Sequence, residues 1–440
     1  MISKSEDPVK IIPYIDDIVR SLKSDASPDW LKSLRARGLS RFTELGLPTV
    51  KDEEWKYTSL SELTKIKFGA VKKETVIELD ALKAYRGEGD TVIVFVNGNY
   101  SHELSDTGRV PTGITITTLQ DALSGNSPRV KSLMTQYSIK DESAFVALNE
   151  ALSQSGVFIE VQEKIAHEGL IHVIHVTSTE NGEIVTMPRA LISLGASSEI
   201  TVMESHIAFT DDICYFTNAL TDIFLGENAV LHYCKAQKES LRAYHIGHTR
   251  VWQERNSNLD GFSLIAGGKL TRNNLDCVLN GEGGNATINA FYSVMNDQHV
   301  DNHTSVDHRV PNCTSNQLYK GILNHQSRAV FNGKIFVRPI AQQTNSYQLN
   351  KNLLLGKDCR VDTKPQLEIY ADDVKCTHGA TIGQLDKNEL FYLQTRCITR
   401  AAATRMLVHG FANDLLSTIK NAKVRQICHK LIQPSLEVLG

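Results

Sequence analysis

Of the eight cysteines in this 440-residue chain, no two form a C-x-x-C pair, and the nearest in sequence, Cys359 and Cys376, are still well separated. A closed zinc site or a self-contained iron–sulfur cluster normally shows close cysteine pairs. A disulfide framework belongs to small secreted domains. Reduced thiols are therefore expected. The chain also lacks any apolar run near the roughly 18 residues that a membrane-spanning helix needs. Its opening, MISKSEDPVKIIPY, carries charges before any apolar segment and does not read as a secretory leader. Charge of one sign is missing as well. Lys and Arg number 47 against 50 Asp and Glu, a net charge of −3, which argues against nucleic acid as a partner. The expected location is the cytoplasm. Neither G-x-x-x-x-G-K-[ST] nor G-x-G-x-x-G occurs; IAGGKLT from Ile265 and LNGEGGNAT from Leu279 are followed by strand-like rather than helical sequence, so their glycines read as turns.

What is present is a change of texture along the chain. SPDWLKSLRARGLSRFTELGLP places Trp30, Leu31, Leu34, Leu39, Phe42 and Leu45 near a 3.6-residue period, with Ser27 and Pro28 as a start and Gly46 and Pro48 as a stop. In the following KDEEWKYTSLSEL, Trp55 and Tyr57 read as aromatic anchors docking a helical arm on the core. TVIVFVNGNYS is a strand ending in an Asn-Gly turn. Between Val157 and Ile369, short β-rich runs alternate with Gly, Asn and Asp. LGASSEITV from Leu194, LGENAVLHY from Leu225, GEGGNATINAFY from Gly281 and LGKDCRVDTKPQLEI from Leu355 echo one another. Each joins a glycine turn, a small residue and an alternating strand, the pattern of a β-solenoid coil. A β-sandwich would also give short strands, but the recurring unit favours the solenoid.

Helical sequence returns at the end. Asp386 with Glu389 fits a capping box. Thr399 caps a second segment with Met406, Leu407, Phe411, Leu415 and Ile419 along one apolar face; Gly410 within it reads as a close contact or a break, and Pro434 falls beyond its end. The expectation is a mainly β protein. Residues 1–85 form an N-terminal helical domain, 86–383 a parallel β-helix core preceded by an α/β segment to about 155, and 384–440 a C-terminal helical domain.

Three stretches carry side chains capable of chemistry. DQHVDNHTSVDH holds His299, His303 and His308, but strand alternation puts His299, Asp301, His303 and Asp307 on one face and His308 on the other. Mutually hydrogen-bonded strand residues are expected there rather than a metal cluster. His245 and His248 in AYHIGHT fall on opposite faces with no paired nucleophile. In DVKCTHGATIGQL, a strand would set Cys376 and His378 on one face, their Cα atoms about 6.5–7 Å apart. Two borderline-to-soft ligands could hold one side of an iron or iron–sulfur site if the remaining ligands came from elsewhere, plausibly another subunit. The competing reading is a buried structural pair.

CTHGATIGQLDKNELFYLQTRCI, together with DEEWKYTSL and QHVDNHTSVDHRVPNCTSNQLYKGIL, resembles the SufB/SufD family of iron–sulfur cluster assembly proteins, in the family's order and over most of the chain. The resemblance implies a right-handed parallel β-helix flanked by helical domains. SufB-type chains carry a scaffold cysteine at the position of Ile369 and a glutamate at that of Gly379, so both departures point to the SufD branch. A member of that branch is implied to be a non-catalytic scaffold that pairs with SufB through β-helix edges and binds the SufC ATPase through C-terminal helices within 386–430. His378, with Cys376 in a lesser role, would help SufB hold a nascent cluster. No cofactor is implied to be tightly bound by this chain alone, while a transient iron–sulfur cluster or iron shared with SufB, and a reduced flavin on the complex, are compatible with the resemblance. So is a homodimer in isolation. Cys397 stands where relatives carry glycine, which reads as a packing change rather than a third reactive thiol. Two other classes compete: a β-helix carbohydrate-active enzyme, which needs carboxylates with Lys or Arg gathered on one face, and a purely structural docking module.

Overall fold

The structure is a computed structural model; it describes residues 27–438 apart from 70, 72–76, 84, 88, 109, 137–142, 154 and 179–182. From Pro188–Leu194 onward, successive strands alternate between two facing sheets, so each neighbour within a sheet lies two strands on in sequence. Glu199 lies beside Val230, Val230 beside Asn258, Asn258 beside Asn285 and Asn285 beside Thr314, all parallel. The result is a parallel β-solenoid of about 8 turns flanked by helices at both ends of the chain, as the glycine-small-strand echoes predict.

The corners explain why those echoes are unevenly spaced. At the corner running from one sheet to the other, Ser197, Asn228, Asn256, Gly283, Asn312 and Gln343 all take positive φ, one per turn. This left-handed conformation is cheap for glycine and tolerated by asparagine. The corner backbones stack on one another: a Cβ on Gly281 would lie 1.9 Å from the backbone nitrogen of Arg255. The segments from Leu194, Leu225 and Gly281 are this corner in three turns. The one from Leu355 is the opposite corner, between Thr344–Leu354 and Arg360–Ile369, so it belongs to a different series.

Strand alternation then decides the layers. Ile171, Val202, Tyr233, Ile223 and Val251 point inward and fill the space between the sheets. On one outer face Met203, Cys234, Phe262 and Phe291 receive Val408, Ala412, Leu416, Cys428 and Leu431 of two C-terminal helices, Arg400–Leu416 and Ala422–Val438. On the other outer face Phe216, Tyr244 and Ile246 receive Phe42, Trp55, Phe145 and Leu148. The helix Asp29–Leu45 starts and stops where Pro28 and Gly46 predict. Its Gly38 lets it approach the helix Ala144–Leu152 so closely that a Cβ would meet the Ala147 carbonyl oxygen at 2.9 Å.

Several local expectations are corrected. Trp55 is buried, but Tyr57 is exposed, so only one of the two aromatics anchors the arm. The buried stripe of Arg400–Leu416 is Ala403, Val408, Ala412, Leu415 and Leu416; of the expected face, Leu415, Ile419 and Phe411 do pack on the solenoid, while Met406 is exposed. Gly410 neither breaks that helix nor allows a close contact, since a Cβ there would meet nothing within 4 Å. The segment starting at Arg400 ends at Leu416 and a separate helix starts at Ala422, so Pro434 lies beyond the first, as expected, and inside the second. Carboxylates and arginines do gather on one outer face. Asp222 accepts from Arg189 at 2.8 Å and from Arg250 at 2.6 Å on the outer face of one sheet, and Asp301 accepts from Arg272 at 2.7 Å on the same face. These charges are buried and spent on one another, which leaves no open catalytic cluster in that set.

Candidate functional site

The two sheets finish at the same end of the solenoid. Val374–Gly383 is the last strand of one and Arg360–Ile369 the last of the other, and neither has a further neighbour among the described residues. Each therefore presents ten residues of edge backbone with one row of hydrogen-bonding groups unmet, the condition under which strands recruit partners. Ile369, Tyr370 and Ile382 stand exposed at this end.

The strand Val374–Gly383 sets Cys376 beside Ser346 and His378 beside Gln348 of the preceding turn. Ser346 and Gln348 are buried inward-facing residues, so Cys376 and His378 share the face that continues the solenoid interior. Cys376 is half-buried against Ile335, Val337 and Ala341. Burial pushes its thiol above the usual range, with the Ser346 backbone offsetting this in part. His378 is exposed, because no further turn covers it among the described residues. Beneath it, both polar atoms of the Gln348 amide are buried without a hydrogen-bond partner. The open end thus combines an imidazole, a thiol and an unmet amide at the mouth of a solenoid whose edges are unpaired.

Beside this mouth, Asp386 caps the helix Lys387–Thr395 by accepting from the Asn388 backbone at 2.7 Å. That helix exposes Phe391 and Tyr392. A groove of about 500 Å³ runs between it, the last strand and the following helix, lined by Ile382, Leu385, Met406 and Phe411 among others. Cys397 is exposed at the helix end with φ of 61°, the left-handed position that glycine usually takes after a helix; packing is not its role.

The model of the SufBD core domain of the SUF system for FeS cluster assembly matches residues 175–411, and the model of the SufBD protein N-terminal region matches 15–173. The chain belongs to the SufB/SufD family, on its SufD branch. It is 34% identical over 395 residues to the iron–sulfur cluster assembly protein SufD of Escherichia coli, covering 88% of this chain and 89% of that protein. An iron–sulfur cluster assembly SufBD family protein of Synechocystis is 32% identical over 418 residues, covering 93% and 90%. The chloroplastic protein ABCI7 of Arabidopsis thaliana is 30% identical over 427 residues, covering 94% and 89%. These relationships place the chain's role in iron–sulfur cluster assembly.

The other sequence candidates separate as alternation predicts. His308 turns inward, 2.9 Å from Ser315 Oγ, whereas His299 and His303 turn outward. The outward pair meets the DEEWKYTSL segment. Thr58 donates to Asp301 at 2.6 Å, His303 lies 3.3 Å from Glu54, and Lys334 pairs with Glu54. His245 faces inward and lies 2.9 Å from Glu239, while His248 faces outward and lies 2.6 Å from Asp276. One cluster was missed altogether. His175, Glu204 and His206 converge inside the first turns with their ligating atoms within 4.8 Å of one another. A signal for it exists, since His206 follows His175 by the same step that separates Leu194 from Leu225.

Proposed function

We propose that this chain is a non-catalytic scaffold subunit whose open solenoid end pairs with a SufB-type chain. In this reading, His378 and Cys376 face the seam and help hold a nascent cluster as cargo. The observation that carries the reading is the coincidence, at one end, of two unpaired edge strands with the imidazole and thiol of the strand Val374–Gly383. Two ligands are too few for a closed site, so the arrangement calls for donors from a second chain. Strand addition supplies main-chain hydrogen bonds, and the exposed Ile369, Tyr370 and Ile382 supply apolar contact. The exposed Phe391, Tyr392 and Met406, with the groove beside them, are the surface proposed for a SufC-type ATPase.

The pairing is tested by co-expression with SufB- and SufC-type partners and co-purification. Replacing Ile369→Asp and Tyr370→Asp together should abolish recovery of the SufB-type chain while this chain stays folded by circular dichroism. Undiminished recovery would remove the open end as the interface.

A further inference from the structure

The interior of the solenoid is divided lengthwise. One half is apolar, and the other, in the first turns, gathers His175, Glu204, His206, Lys235, Glu239 and His245, all buried. Strand register stacks this set. His175 lies beside His206, and Glu204 beside Lys235. The rings of His175 and His206 stack with centroids 4.7 Å apart.

We propose that His175, Glu204 and His206 bind one first-row divalent cation inside the solenoid, with ferrous iron the ion that two imidazoles and one carboxylate favour. Glu204 is oriented for it. Its Oε2 accepts from Thr221 Oγ1 and from Tyr233 OH, both at 2.9 Å. This leaves Oε1 to face His206 Nε2 at 3.0 Å and His175 Nε2 at 3.8 Å. Donors about 2.1 Å from a common ion lie roughly 3–4 Å apart, so the three atoms are near enough to close on a cation once one ring turns out of the His175–His206 stack. Thr221 and Tyr233 are the outer partners that fix a ligating carboxylate.

The surroundings agree with an added positive charge. Glu204 and Glu239 bring two carboxylates to the compartment and Lys235 one ammonium, the latter donating to Asn273 at 3.4 Å. His245 meets the edge of the His206 ring at 4.9 Å, and its Nε2 is buried with no hydrogen-bond partner. Gly247 keeps room there, since a Cβ would lie 2.4 Å from Lys235 Nζ and 2.8 Å from His245 Nε2. His175 is the least buried of the three.

The site stands apart from the open end, so the test uses the full chain carrying Cys376→Ala and His378→Ala. After anaerobic loading with ferrous iron, or with cobalt as a spectroscopic stand-in, and desalting, this chain should retain one equivalent. Glu204→Gln or His206→Gln should remove it, and Tyr233→Phe should weaken it about 10- to 100-fold. Bound cobalt should raise the melting temperature of the parent but not of Glu204→Gln. X-ray absorption of the loaded parent should show imidazole scattering and no sulfur, a readout that survives if a variant fails to fold. No retained metal, a sulfur ligand, or full retention by Glu204→Gln would each overturn the site.

Discussion

The guanidinium of Arg272 lies 3.8 Å over the ring of Trp55. The same group donates to Asp301 at 2.7 Å and to the Glu54 carbonyl oxygen at 2.7 Å. The two segments that carry the family resemblance outside the last strand, one near the N-terminus and one in the middle, are therefore a single contact in space. It fastens the N-terminal arm to the solenoid's outer face.

Arg272→Met should test that fastening. Arg272 and Asp301 are both almost fully buried, and removing one member of a buried ion pair strands the other, a loss of about 3–5 kcal/mol. Urea unfolding should show it, along with faster proteolysis after Trp55. A change under about 1 kcal/mol would mean that Thr58 and His303 alone keep Asp301 satisfied.

Acid should loosen the same contact. His303 and Lys334 hold the Glu54 carboxyl down to about 2 against an ordinary 4.5. A carboxylate depressed in the folded state contributes stability that is fully present above its unfolded value and is lost as pH falls toward the folded one. Docking of the arm should thus weaken between pH 4.5 and about 2, modestly, because Glu54 is partly exposed and screened. Trp55 fluorescence followed across that range should shift, and the shift should disappear in Glu54→Gln.

Two C-terminal positions should tolerate stabilising changes. Cys397 holds φ at 61°, so Cys397→Gly should relieve strain of about 1 kcal/mol. Gly410 sits mid-helix with nothing within 4 Å of a Cβ, so Gly410→Ala should add about 1 kcal/mol. Thermal melts read both. Loss of stability in either would contradict the geometry.

The solenoid was legible because each corner repeats a left-handed small residue and each strand alternates, signals that are local and recur. Helix starts at Pro28, Asp386 and Thr399 were legible for the same reason: a cap is written in a few adjacent residues. The buried face of Arg400–Leu416 was legible in part: Phe411, Leu415 and the nearby Ile419 pack on the solenoid as expected, but Met406 does not, because the solenoid's own Phe262 and Phe291 fill the interface and leave room for Ala412 instead. Tyr57 and Trp55 look alike in sequence; only the position of Arg272, contributed from far along the chain, separates the anchor from the exposed ring. Cys376 and His378 were found through a motif, whereas His175 lies one turn before the strand that carries both Glu204 and His206. Only the repeat step could have aligned them.

In the proposed function, His378 completes a site shared with a second chain. The most direct measurement is reconstitution of the complex with SufB- and SufC-type partners, comparing the wild type with His378→Ala for co-purification and for the visible absorbance of the assembled cluster. The complex should stay intact while its absorbance is lost or short-lived. Wild-type absorbance from the variant would contradict it, returning His378 and Cys376 to the solenoid end as ordinary side chains and leaving the chain a docking partner alone.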